Sequence, residues 1–490
     1  MKNLIAAFVL ICFVFISCKK ENLSINNTIH DPYNYAVLKA SNYDAEAPNH
    51  YLVEDNKKDF VLQDFLQDRG IISIDNKILL QAADYTFLSN HTQLNVLEEL
   101  YFPATATQEK QLAKHYRINP STASGRIEVY DPISQHYQPL KNVHIYVVDG
   151  HRSFNTYTDE NGNFSISKYF YTNHIDVYVQ YSNSVLDIRV LDADHLEQAF
   201  FPLLVKINSF SQNSLQNIVA TYGGNMATDT SKQHVYAATS WCNYYLYSQF
   251  AMAQGYSLPH SKKMSLWIAK DALLSASYAA PMLNQLSNTQ YPKRLLTELF
   301  HLPSSLSGMI AQLLKHSLPD IYAPYYSHRY PGEGYMLSLF HEFSHAVHYV
   351  KAGNAFWYNY ISYIYSNTGY GNGNSPERGR VALSEAWAED LSMQCARYHY
   401  GGDLYSDALL DSNTSTASWI PWGVYYDLTD ANTNVESWDK VQHFTFPQMY
   451  KMLSPEMDDI SKLKIQLKAT YDQMPYIDPY IDSLFAHYGW

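Results

Sequence analysis

Two hydrophobic rhythms divide this chain. Between Ser124 and Leu191, apolar and polar residues alternate in short runs broken by Asn, Gly and Pro, the pattern of half-buried strands. Gly125–Tyr130 predicts one strand and Pro139–Val148 another, while Thr156–Ile166 predicts a strand, an Asn-Gly-containing turn and a second strand. His174–Tyr181 and Val185–Leu191 continue the series, and strands this short and closely spaced predict an all-β sandwich. From about residue 222 the spacing becomes helical. Val235, Ala238, Trp241, Tyr245 and Phe250 give His234–Gly255 an apolar face suited to core packing rather than to a cofactor, and Gly255 ends it. In Tyr335–Gly353 the apolar face is Met336, Leu337, Leu339, Phe340, Ala346, Val347 and Val350, with no proline inside and Gly353 as the stop. A third helix starts in the polar run Asn374–Arg380 or at Ser384, reaches about Tyr400 and stops at Gly401-Gly402. Asp320–Tyr326, just upstream of the second helix, reads as an edge strand because Pro324 restricts its pairing. The expected fold class is multidomain α+β, an all-β sandwich followed by a mainly helical domain.

At 490 residues the chain has room for about three domains. It carries 34 Lys and Arg against 47 Asp and Glu, a net charge of −13, which argues against a nucleic-acid partner. The start of the chain follows neither rhythm. Lys2 precedes the apolar run Leu4–Ile16, too short for a comfortable membrane span, and then comes Ser17-Cys18. These features predict export. Phe15-Ile16-Ser17-Cys18 resembles a bacterial lipobox, which implies that Cys18 becomes the lipid-modified first residue of the mature protein, anchored to a membrane rather than spanning it. An ordinary secretory leader with an incidental cysteine is the alternative. With Cys12 removed and Cys18 lipidated, Cys242 and Cys395 remain, too few for a disulfide framework or a Cys-type zinc site, and their pairing stays open. The expected organisation is a leader at 1–18, a polar tether at 19–45, a region at 46–120 without a chemical motif, and the sandwich at 121–207. A Ser-, Asn- and Gln-rich boundary at Ser209–Asn217 then leads into a second domain at 220–490.

The candidate chemistry lies in the second helix, at His341-Glu342-Phe343-Ser344-His345. Residues four apart share one face about a turn apart, so both imidazoles can reach one Zn2+, with Glu342 beside the first as a general base. A catalytic zinc needs a third protein ligand. Metzincins place a histidine six residues further on, and that position here is Lys351, which excludes them. The better candidate is Glu385, in Val381–Asp390 on the third helix. Glu389 lies one turn on along the same face, where it can accept a hydrogen bond from the free nitrogen of a ligand histidine. His348 follows the two histidines on their face and is expected to pack or hydrogen-bond locally. Asp390 is expected to be a solvated helix charge.

HExxH, then a Glu from a second helix, then an acidic residue four positions on, resembles the gluzincin (thermolysin-like) metallopeptidases over roughly residues 320–400. The resemblance implies a zincin-like domain with Zn2+ held by His341, His345 and Glu385, and Glu342 as the catalytic base. It also implies that Glu389 supports a ligand histidine, and that a peptide or protein is the substrate. The gap of about 40 residues from His345 to Glu385 is longer than in thermolysin and implies an insertion or a substrate-shaping element. In gluzincins an extended peptide pairs with an edge strand, the part expected of Asp320–Tyr326. The family also places a Tyr or His over the oxyanion; Tyr425, Tyr426 and His443 are candidates, each as easily structural, and they stay outside the expected site. A second resemblance rests on Gly125, Pro139-Leu140-Lys141-Asn142-Val143 and Thr158-Asp159-Glu160-Asn161-Gly162-Asn163-Phe164. That order resembles the carboxypeptidase regulatory-like (transthyretin-like) module of bacterial surface proteins, which implies an accessory or spacer role, with Asp159 and Glu160 as turn residues rather than Ca2+ ligands. The combined expectation is a zinc-dependent peptidase, exported and lipid-anchored at the cell envelope, with the outer membrane as the expected location and the oligomeric state undetermined. Two alternatives stay open: an envelope binding lipoprotein with a structural or vestigial zinc site, and a zinc hydrolase of a non-peptide amide or ester. Glu342 argues against the first, since a structural zinc needs no general base.

Overall fold

Alternating residues between 121 and 222 build two four-stranded sheets in the computed structural model. It describes residues 121–150, 152–170, 172, 174–191, 202–270, 278–286, 318–367, 369–401, 419–429, 440–441, 444–470 and 478–490. The leader with Cys18, the tether, the region 46–120 and His443 lie outside the described residues. The first sheet comprises β1 (Ser121–Asp131), β2 (His136–Pro139), β5 (Asn163–Lys168) and β9 (Ile218–Tyr222). β1 is its spine, antiparallel to β2 and β5 and parallel to β9. The second comprises β3 (His144–Asp149), β4 (Arg152–Tyr157), β6 (Ile175–Gln180) and β8 (Leu204–Phe210), antiparallel throughout in the order β4-β3-β6-β8. β5 keeps the strict period of two, with Phe164 and Ile166 buried and Asn163 and Ser165 exposed. β3 and β6 are buried at every position, so both faces of their sheet are covered. Asp159 is a turn residue here: its Oδ1 accepts the backbone N–H groups of Asn161 and Asn163, at 2.9 and 2.8 Å.

Two features extend the sandwich differently from the sequence pattern. The stretch Ser209–Asn217, expected as a boundary, crosses from β8 in one sheet to β9 in the other, so the first sheet runs past 207 to Tyr222. It is polar because the crossing is largely solvated. The strand at 186–191 forms as expected, but it pairs with neither sandwich sheet. As β7 (Leu186–Leu191) it joins β10 (Met264–Lys270) and β11 (Ile321–Tyr325) in a third, parallel sheet of order β11-β10-β7. Leu186, Ile188 and Val190 are fully buried, and on the alternate positions the buried pair Arg189 Nε–Asp187 Oδ2 closes at 2.6 Å. Parallel strands require such double coverage, which alternation in the sequence does not announce. β11 ends the sheet, yet its outer edge is already occupied: Tyr322 and Ala279 exchange backbone hydrogen bonds of 2.8 and 3.1 Å, and Pro324 has no N–H to offer beyond. This corrects the expectation that an extended peptide pairs there.

Helices make up most of the rest: α1 (Lys232–Gln254), α2 (Glu333–Ser366), α3 (Arg378–Tyr400), α4 (Val424–Thr429), α5 (Phe446–Met452), α6 (Ile460–Thr470) and α7 (Asp478–His487). The molecule is thus mixed α+β. α1 is central, with every side chain from Val235 to Tyr244 buried. It fixes the height of α2 through a 2.6 Å hydrogen bond between Ser240 and Tyr335, Tyr247 Oη to Ser344 Oγ at 2.9 Å, and Asn243 Nδ2 to the Met336 carbonyl at 3.0 Å. α2 and α3 lie along one another, the most extensive helix pairing in the fold. Gly353, at φ 72°, takes a conformation that other residues adopt only under strain, so the chain turns there and a second helical limb runs on to Ser366. Cys242 and Cys395 are both buried free thiols, and burial pushes the Cys242 thiol up to about 12. Among the described residues no helix is long and apolar enough to cross a membrane.

Gly125 marks the closest approach in the sandwich, because a Cβ on it would stand 2.0 Å from the Ile218 carbonyl oxygen of β9. Gly125→Ala is expected to force β1 and β9 apart at a cost of about 1–3 kcal/mol, read as a lower urea midpoint with an unchanged slope.

Candidate metal centre

The two long helices bring the sequence-predicted residues together. His341 and His345 project from one face of α2 towards α3, which presents Glu385 and Glu389 one turn apart. His341 Nε2 stands 3.3 Å from Glu385 Oε2, and His345 Nε2 stands 3.6 Å from Glu385 Oε1. One donor atom from each of His341, His345 and Glu385 falls within a 4.8 Å span, and this cluster can hold a metal ion. Two neutral imidazoles and a carboxylate are a donor set that catalytic zinc uses. The far nitrogen of His341, Nδ1, stands 3.0 Å from Glu389 Oε2, the supporting position expected of Glu389. The far nitrogen of His345 faces Ser384 Oγ at 3.2 Å.

The centre is deep. Glu385 is 1% exposed, His345 2% and Glu342 5%, while the His341 side chain, at 13%, is the most accessible of the four. Glu342 Oε2 is buried without a hydrogen-bond partner among the described residues, a carboxylate oxygen left open beside the first ligand. Burial pushes the Glu342 carboxyl up to about 8; the His341 charge opposes this, and Glu385 and Glu389 add to it. For Glu385 burial acts upwards as well, yet His345 and His341 hold its carboxyl well below the usual range. Burial disfavours the charged form of His341, but hydrogen bonds to Glu385 and Glu389 outweigh that and hold its pKa well above the ordinary value.

Two phenols that the sequence reading missed close on the same carboxylate. Tyr360, on the second limb of α2, donates to Glu385 Oε1, and Tyr370, in the following loop, donates to Glu385 Oε2 at 2.9 Å. Burial first, and the Glu385 charge next, raise both phenol pKa values well above normal, so both remain donors. The only signal for Tyr370 is its place between Gly369 and Gly371 in a glycine-rich run; nothing in the local pattern marks Tyr360. The long interval between His345 and Glu385 therefore returns to the centre. Trp357 from the same limb packs against His345, ring centroids 5.8 Å apart.

Other candidates lie elsewhere. Tyr425 packs on Trp387, which is ~200° round α3 from Glu385, and Tyr426 lies under the Arg397 guanidinium. His348 hydrogen-bonds locally, its Nδ1 3.2 Å from Ser384 Oγ. Asp390 is not a solvated charge: it is fully buried, and burial raises its pKa well above normal against the opposing pull of the Arg397 charge and a Gln394 hydrogen bond. α3 is enclosed on all sides along this stretch, so it has no solvent face to offer that residue.

No protein-family model and no curated protein matches the chain. Among solved structures, a 9R-lipoxygenase from Cyanothece PCC8801 aligns at 13% identity over 44% of this chain and 36% of that one, with a TM-score of 0.13. A likeness at that level carries no argument about fold or function.

Glu385→Ala is expected to lose the metal: after loading with one equivalent of Zn2+ and gel filtration, the variant should emerge without it while the wild type retains it. Retention by the variant would remove Glu385 from the ligand set. Because His341 holds a proton in the metal-free protein and must release it to ligate, and Glu342 gives up its own beside the cation, metal uptake at neutral pH should liberate more than one proton, approaching about two. Affinity should accordingly rise with pH more steeply than about tenfold per unit, up to ~100-fold where both groups are protonated, measured by chelator competition between pH 5 and 8.

Proposed function

We propose that this protein is a zinc-dependent peptidase of the gluzincin kind, acting at the cell envelope. The observation that carries the reading is the juxtaposition of the His341, His345 and Glu385 donors with the buried, open Oε2 of Glu342. Two histidines and a carboxylate are also the donor set of iron(II) oxygenases. A free carboxylate beside the first ligand is what water-based hydrolysis needs and oxygen activation does not, and this favours zinc. A zinc ion held by the three ligands supplies Lewis acidity, acidifying water and polarising a scissile carbonyl.

The chain's own groups supply the rest. Glu342 takes a proton from the attacking water and passes it to the leaving amine. Glu389 holds the His341 ring in place and raises its basicity. Tyr370, a half-buried and protonated phenol already 2.9 Å from Glu385, is the donor best placed to meet negative charge developing on the carbonyl oxygen. The two facing four-stranded sheets support a transthyretin-like module, and the paired helices beside the third sheet support a zincin-like domain. The leader and Cys18 carry the proposal of export and lipid anchoring.

A diverse peptide mixture incubated with the zinc-loaded full-length protein, beside its Glu342→Gln counterpart, tests the reading by mass spectrometry. Cleavage by the wild type should be lowered about 10²–10⁴-fold in the variant, with bound zinc unchanged. No cleavage by either protein despite bound zinc would turn the assignment towards a non-peptide amide or ester, and undiminished cleavage by the variant would remove Glu342 as the base.

A further inference from the structure

The two ligand histidines are supported in unlike ways. Behind His341 stands a carboxylate, Glu389. Behind His345 stands a hydroxyl: Ser384 Oγ lies 3.2 Å from His345 Nδ1 and 3.2 Å from Nδ1 of a third histidine, His348. All three side chains are buried, with Ser384 and His348 at zero exposure and His345 at 2%. The His348 ring is held by aromatic walls, its centroid 4.8 Å from Phe356 and 5.7 Å from Trp357.

Counting protons gives this chain of contacts a consistent relay direction. His345 turns Nε2 to Glu385 and the ligand cluster, so as a neutral ligand it carries its proton on Nδ1 and donates it to Ser384 Oγ. The hydroxyl then has one proton of its own to give, and His348 Nδ1 is the acceptor that faces it. With that proton given to His348 Nδ1, His348 is the tautomer protonated at Nε2, the atom that has no partner among the described residues.

We propose that Ser384 and His348 are positioning residues for the metal centre, a neutral hydroxyl–imidazole relay that fixes the tautomer and ring plane of His345. The arm is built from local sequence geometry. His348 follows His345 at i+3 on the ligand face of α2, and Ser384 precedes the ligand Glu385 on α3, so the same helix pairing that assembles the ligands assembles their support. One ligand histidine thus has an anionic partner and the other a neutral one. The proposal rests on the metal-centre reading above.

The test uses the full-length protein, with Zn2+ affinity measured by competition with a chromogenic chelator and ligand geometry by the visible spectrum of the Co2+ form. Ser384→Ala removes the hydroxyl without adding volume. His348→Phe keeps a ring between Phe356 and Trp357 and removes the acceptor; it carries the test alone if Ser384→Ala does not fold. Ser384→Ala is expected to weaken Zn2+ binding about 10–100-fold and to alter the Co2+ spectrum. His348→Phe should weaken binding less, and the double variant should bind no more weakly than Ser384→Ala, since the arm is already broken. Unchanged affinity in the single variants, or losses that simply add, overturns the relay and leaves the metal centre standing. A wild type that binds no Zn2+ at all overturns the metal centre itself, and the relay with it.

Discussion

The carboxylate of Glu385 is the group around which the functional half is arranged. Burying an ionised carboxylate costs several kcal/mol unless charge and hydrogen bonds return it. Here the return comes from four side chains in three parts of the chain: His341 and His345 on the first limb of α2, Tyr360 on the limb beyond Gly353, and Tyr370 in the loop before α3. Removing any one leaves the others to hold a charge that water cannot reach. The turn at Gly353 is what lets Tyr360 reach back, since a straight α2 would carry residue 360 about 22 Å along the axis beyond His345.

Three carboxylates, Glu342, Glu385 and Glu389, surround His341, and in the metal-free protein protons compensate part of that charge: one on His341, and one on Glu342 over much of the neutral range. A divalent cation among the ligands replaces those protons. It would draw the His341 proton off and return Glu342 to its ionised form, because a nearby positive charge favours the carboxylate. On the proposed reading, loading the metal and arming the base are one electrostatic event.

The site was legible in the sequence wherever it is written in a single helix. Two histidines at i and i+4, and two glutamates at i and i+4, announce which faces can meet, and the stops at Gly353 and Gly401 bound the helices that carry them. What was not legible depends on contacts between distant elements. Ser384 looks like a helix start until α2 places two histidines around it, and Tyr360 and Tyr370 are two tyrosines among 44 until Gly353 turns the chain back. Asp390 follows the polar pattern of a solvent face that tertiary packing then covers. In the sandwich, alternation gave β1, β5 and β6 directly, but a period of two says only that opposite faces differ. It does not say which sheet a strand joins, so β7 reads as one more strand of the series and turns out to belong to the next sheet.

That strand changes what the β-rich part can be. A spacer module hangs on a linker and is dispensable to the fold of its neighbour. Here β7 leaves the sandwich to form an outer strand of the parallel sheet, β8 returns to the sandwich beside β6, and α1 is bound to both sides. Trp241 Nε1 donates to the Lys141 carbonyl at 2.9 Å, and the Tyr245 hydroxyl accepts from Asn142 and Asn183 Nδ2 at 3.0 and 2.6 Å. Those same turns of α1 set the position of α2 through Ser240 and Asn243. The route from the sandwich to α2 is therefore one continuous chain of contacts, Lys141 to Trp241 and along α1 to the Tyr335–Met336 end of α2. The β-rich part is better understood as scaffold for the ligand helices than as a separate accessory, and the helical half alone would lack a strand of its own sheet.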